Sequence, residues 1–144
     1  MSFADGSGQS GMTNITQAHI TKVATTMVPV SDQDSALAFY TEKLGFEVRM
    51  DMPYGDGERW LEVAPPGGEG TVALTPLRPG ATEWELGRQT GIGLHSDDID
   101  ADYASMKDAG VDVDAEVSRF GAPVPPMFWF RDQDGNSLLV VGDN

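Results

Sequence analysis

A chain of 144 residues with 40% hydrophobic and 22% charged side chains has the size and balance of one globular domain with its own core. Nine Lys and Arg stand against 23 Asp and Glu, a formal charge of −14 that argues against nucleic acid and anionic membrane as partners. There is no cysteine, which excludes disulfides and thiolate metal sites and makes a reducing cytoplasm the expected location.

Residues 1–12 are small, polar and rich in Gly and Ser, without the charged and apolar regions of a signal peptide; a disordered tail or cloning remnant is expected over 1–18. A first module is predicted over 19–76. Residues 20–30 read as a strand. Ser31, Asp32 and Asp34 supply caps for a helix whose Ala36, Leu37, Phe39, Tyr40 and Leu44 share one face, and Gly45 stops it. Phe46 to Met50 alternates as a second strand, and Pro53 to Gly57 reads as a loop. Arg59 to Val63 and Thr71 to Thr75 are further strands, joined by a Pro/Gly turn at 64–68. No Lys-Ser/Thr or helix follows the glycines at 67–70, so they make no phosphate loop.

Residues 77–90, including Trp84 and Glu85, are predicted to link this module to a second one over 91–144. Gly91 to His95 is a strand. Asp97, Asp98 and Asp100 cap a helix that ends at Gly110, Val111 to Val113 starts a short strand, and Met127–Phe130 and Ser137–Val141 follow. Asp134-Gly135 closes the last hairpin, because Gly tolerates positive φ and Asp bonds its own backbone. Overlaying Gly45 on Gly110 aligns the same element order in both halves. Two copies of a unit that cannot cover its own apolar face are a stronger signal than any single motif.

Strand alternation sorts the side chains into two faces. Val28, Val30, Leu61, Val63, Val72, Leu74, Ile92, Leu94, Phe128, Leu138 and Val140 fit the side under the helices. The other side collects small and mixed residues together with Met27, Trp60, Glu62, His95, Met127 and Trp129, a set suited to a ligand cavity wall.

The stretches Val30 to Phe46 and Phe128 to Asn136 resemble the vicinal oxygen chelate superfamily, which includes glyoxalase I, extradiol dioxygenases and bleomycin-resistance proteins. The resemblance covers residues 20–142. It implies an α+β fold of two βαβββ modules forming a curved mixed sheet around a cavity, and a homodimer. In enzymatic members four strands hold one divalent metal. Those ligand positions fall here on Thr25, Ala73, Gly91 and Leu139, none with an imidazole or carboxylate. No cofactor and no metal are therefore expected, as in antibiotic-binding members that sequester a drug without chemistry. The alternative is a lyase, isomerase or dioxygenase with a displaced metal site, which leaves enzyme status open.

Five residues form the candidate ligand site: Trp60, Glu62, His95, Met127 and Trp129. Trp60 and Trp129 read as comparable places in the two modules, with walls for planar ligands and cations. Glu62 is a candidate hydrogen-bond acceptor or general base, or else the partner of Arg49, Arg59 or Arg131. His95 stands four residues past Gly91, about 13 Å along the strand, which is too far to replace that missing ligand. It reads as a strand-end histidine or a ligand contact. The expected partner is a small organic molecule, aromatic or antibiotic-like.

Overall fold

A computed structural model describes residues 19–77 and 86–144. The tail read over 1–18 and most of the linker, with Trp84 and Glu85, lie outside the described residues. In chain order the elements are β1 (Thr25–Val30), α1 (Gln33–Ala38) with a π-helical continuation (Phe39–Lys43), β2 (Glu47–Tyr54), β3 (Glu58–Ala64), β4 (Thr71–Pro76), β5 (Gln89–His95), α2 (Ile99–Asp108), β6 (Asp112–Val113), β7 (Met127–Arg131) and β8 (Ser137–Val141).

Each helix starts where a short acid can hold its free N–H groups. Asp32 caps α1 by accepting from the Asp34 N–H, and Asp98 caps α2 by accepting from the Ala101 N–H. After each helix the chain turns at a left-handed glycine, Gly45 at φ 74° and Gly110 at φ 83°, a conformation that costs other residues steric energy.

Each module makes its own four-stranded mixed sheet, ordered β1-β4-β3-β2 and β5-β8-β7-β6. In each, the first and last strands of the module run parallel and the other pairs antiparallel. This is the two-module α+β architecture expected from the repeat. Strand β2 runs further than the sequence suggested. Pro53 and Tyr54 extend it as partners of Arg59 and Glu58 instead of joining the loop. β2 is the edge strand, where a proline's missing N–H leaves the sheet's ladder intact.

The helix side of both sheets feeds one continuous core. Val28, Val30, Leu61, Val63 and Leu74 from the first sheet meet Phe128, Phe130, Leu138 and Val140 from the second, with Phe39, Tyr40 and Phe46 between them. Burying each of the larger side chains is worth roughly 1.5–3 kcal/mol. Strands β1, β3, β7 and β8 read buried on one side and open on the other, as alternation assigned them. Ala73, assigned to the open face, is instead buried, and Ile92 and Leu94 are half-buried.

Polar contacts register the modules on one another. The Tyr40 hydroxyl donates to Asp132 Oδ2 at 2.8 Å, joining the first helix to the closing hairpin. Asp132 also accepts from the Asn136 side chain at 3.0 Å and from the N–H groups of Asp134 and Asn136 at 2.9 Å. Asn136 in turn donates to the Pro29 carbonyl, and Ser31 donates to Asp134. Burial first, and then the Asp132 charge, push the Tyr40 phenol far above its ordinary pKa, so it remains a donor.

Tyr40→Phe removes one charge-assisted hydrogen bond without opening a cavity. It is expected to lower unfolding stability by about 1.5–3 kcal/mol, read from the urea midpoint. An unchanged midpoint would show that the bond contributes nothing net.

Candidate functional site

The first sheet's open face is built from register. Met27, Ala73, Glu62 and Met50 lie in one cross-strand row, and Trp60 pairs with Met52 in the next. Alternation therefore places Met50, Met52 and Tyr54 of β2 beside Trp60 of β3. Met27 on β1 is 56% exposed and Met52 on β2 57%, large values for apolar side chains within strands. Met50, Met52, Pro53, Tyr54 and Trp60 line an open groove of about 390 Å³. Tyr54 stands edge-on to Trp60, with ring centroids 6.3 Å apart. A smaller cleft that shares Tyr54 and Trp60 adds Met27, Glu58, Arg59 and Thr75.

Glu62 is held by neighbours on its own face. Its Oε2 accepts the Trp60 indole N–H, and its Oε1 accepts the Thr71 hydroxyl at 2.7 Å. The arginines considered as partners are engaged elsewhere: Arg49 with Glu47, Arg59 with Asp51 and Asp34, and Arg131 with Asp112 and Asp114. The hydrogen bond from Arg59 holds the Asp51 carboxyl below its usual range, and Arg131 does the same to Asp112.

The second sheet repeats the arrangement with different side chains. Gly93, Leu139 and Trp129 form one row, and His95, Val141 and Met127 form the next. The five residues singled out in the sequence thus fall into two groups: Trp60 with Glu62 on one sheet, and His95, Met127 and Trp129 on the other. Register also corrects the proposed equivalence of the two tryptophans. Trp129 pairs with Leu139 as Glu62 pairs with Ala73, so Trp129 is the counterpart of Glu62, and Trp60 corresponds to Met127.

The positions aligned with the superfamily's metal ligands do not fit a metal. The Thr25 hydroxyl donates to the Thr71 carbonyl, Ala73 is buried, Gly91 has φ 78°, and Leu139 is aliphatic. None of the four supplies imidazole or carboxylate. Among the described residues the single cluster of three potential metal ligands is elsewhere, at His95, Asp97 and Asp143, all exposed and with ligand atoms within 4.8 Å of one another. His95 Nε2 lies 3.0 Å from Asp143, and Nδ1 lies 3.7 Å from Asp97. His95 bonds Asp143, whereas Glu62 bonds Trp60 and Thr71, so neither is the other's hydrogen-bond partner.

Sequence reading alone missed Met50, Met52 and Tyr54 as site residues. The signal was present, because Val48, Met50, Met52 and Tyr54 keep a period of two straight through Pro53. Asp143 had no local signal, because it meets His95 only after the sheet forms.

The Asp143 hydrogen bond and charge, with Asp97 behind them, raise the His95 pKa above its ordinary 6.5. The folded state therefore gains stability that is fully present below the unfolded value near 6.5. That gain is lost as pH rises through the higher folded value. An NMR titration is expected to find the His95 midpoint raised, and Asp143→Asn to bring it back toward 6.5. A midpoint indifferent to that substitution would refute the pairing.

Comparison with known proteins agrees with this geometry. The sequence pattern of the Glyoxalase/Bleomycin resistance protein/Dioxygenase superfamily matches residues 18–140. The chain is similar to TnmS3, an antibiotic binding protein from Streptomyces sp. CB03234, at 36% identity and a TM-score of 0.74, covering 89% of this chain and all of that one. It is 34% identical to the uncharacterized protein YetH of Bacillus subtilis (strain 168), covering 84% of this chain and 98% of YetH. It is 30% identical to a probable lactoylglutathione lyase of Vibrio parahaemolyticus, covering 83% of this chain and 89% of that protein. With its repeated βαβββ modules and its match over nearly the whole described length, the chain belongs to the Glyoxalase/Bleomycin resistance protein/Dioxygenase superfamily.

Proposed function

We propose that this protein binds a small aromatic, antibiotic-like molecule on the open faces of its sheets, without a metal and without altering it. The observation that carries this reading is the exposed apolar row of Met27, Met50, Met52 and Tyr54 around Trp60. Sheet positions of that size usually stand against a partner or ligand, because their exposure to water is unfavourable. Trp60 supplies a flat ring, and the thioethers supply adaptable, polarizable contact. Trp129 and Met127 would do the same on the second sheet, with His95 at its rim. The similarity to an antibiotic binding protein supports this ligand class. So does the absence of imidazole and carboxylate at Thr25, Ala73, Gly91 and Leu139.

A homodimer is part of the proposal. A second copy standing over an open face would enclose the groove and cover the methionines, and two-fold dimers are the commonest closed assembly. We further infer a cytoplasmic location from the lack of cysteine. Among the described residues, no helix is long and apolar enough to cross a membrane.

The second reading is an enzyme with a displaced metal site. It is favoured by the His95, Asp97 and Asp143 cluster and by the similarity to a probable lactoylglutathione lyase.

Titration of the purified protein with a panel of planar natural products is expected to raise its melting temperature for at least one compound. Trp60→Ala is then expected to weaken that compound's binding about ten-fold, or about 1.4 kcal/mol. Sedimentation of the same protein is expected to report a dimer. A panel that leaves the melting temperature unmoved would count against the binding reading. Protein purified without chelator is expected to carry no stoichiometric transition metal, and finding one would favour the enzyme.

A further inference from the structure

We infer that the first sheet's open face selects lipophilic organic cations, planar rings that carry a positive charge, over neutral rings of the same shape. This rests on the binding reading above and gives that site a charge class.

Strand β3 sets the charge around the indole. Glu58, Trp60 and Glu62 alternate along it and point to the same side, so the indole lies between two carboxylates. The Trp60 N–H is already given to Glu62. A ligand over Trp60 therefore meets the ring's π face and finds no free donor on that ring. A carboxylate drawing on the N–H also leaves the indole more electron-rich, because hydrogen-bonded groups polarise one another. Of the aromatic side chains, tryptophan is the best partner for a cation above its face.

The charges around the groove are unbalanced in the same direction. Arg49 and Arg59, the arginines of the first module within the described residues, are bound to Glu47, Asp51 and Asp34. Among the described residues no Lys, Arg or His lies within ion-pair distance of Glu58 or Glu62. Among the described residues Glu62 has two neutral donors, the Trp60 indole and the Thr71 hydroxyl, and no cation.

Occupancy decides the sign. A neutral ring seated over Trp60 strips water from these carboxylates and returns no charge, which is unfavourable. A ring with a positive charge compensates them as it covers them, while its apolar body lies against Met50 and Met52. The chain's charge of −14 adds a long-range field that concentrates cations near the surface and fades with salt.

The purely structural account assigns Glu62 one task, orienting the Trp60 ring. The two accounts separate under Glu62→Gln. A glutamine keeps an acceptor for the indole N–H and has nearly the same shape, but it removes the charge.

The experiment titrates the full chain with 1-methylquinolinium and with 1-methylnaphthalene, a neutral ring of matching size, following the Trp60 indole N–H resonance. The cation is expected to bind at least ten-fold more tightly at low salt. That preference is expected to fall to within about two-fold in Glu62→Gln, and to fall part of the way in Glu58→Gln, whose side chain is exposed and whose fold is not at risk. Equal affinity for the two probes in the unaltered protein would overturn the inference while leaving the binding reading intact. A cation preference that survives both substitutions would also overturn it, by assigning the selectivity to other groups. If neither probe moves the Trp60 resonance, the inference fails and the binding reading of this groove fails with it.

Discussion

The buried carboxylate of Asp132 is where the two halves of this protein are tied together. It sits in the turn before β8 and gathers the Tyr40 hydroxyl, the Asn136 amide and two backbone N–H groups. A charge this deep is tolerable only because every approach to it is a donor. The arrangement fixes the closing hairpin, and through Asn136 and Pro29 it fixes where the first strand runs relative to that hairpin. Because the tyrosine comes from the first helix and the carboxylate from the last turn, one network sets the pose of both modules over their shared core.

That pose has a consequence for function. Both modules spend their helix-side faces on the common core, so each sheet's other face is turned away from it. In a protein whose open faces were simply solvated, polar side chains would fill them. The first sheet instead exposes methionine, tyrosine and tryptophan, with Glu62 bonded to the indole. Arg59 lines the smaller cleft beside Trp60, but its guanidinium is already paired with Asp51 and Asp34. The groove itself is lined by apolar side chains, and the carboxylates of Glu58 and Glu62 flank Trp60 on the same face.

The superfamily's scaffold and the superfamily's metal chemistry are separable here. The scaffold depends on alternation, caps, glycines after helices and the Asp132 turn, all present. The metal depends on a few side chains on the open face, and those positions hold Thr25, Ala73, Gly91 and Leu139. Backbone ladders do not care which side chain points away from the core, so the fold persists after the ligand set is gone.

Much of the fold was legible in the sequence because it is written in local terms. Period-two alternation chose the faces, Asp32 and Asp98 announced the helix starts, and Asp134-Gly135 announced the final turn; each signal acts within a few residues. The missing metal donors were equally legible, since they concern residue identity alone. Tertiary structure alone decided who meets whom. Tyr40 finds Asp132 across 92 residues of chain, and His95 finds Asp143 across 48. It made β2 an edge strand, which lets Pro53 stay in the ladder and brings Met52 and Tyr54 to Trp60. It also matched Trp129 with Glu62 rather than with Trp60, because counterpart positions follow from hydrogen-bond register, which no spacing along one strand can encode.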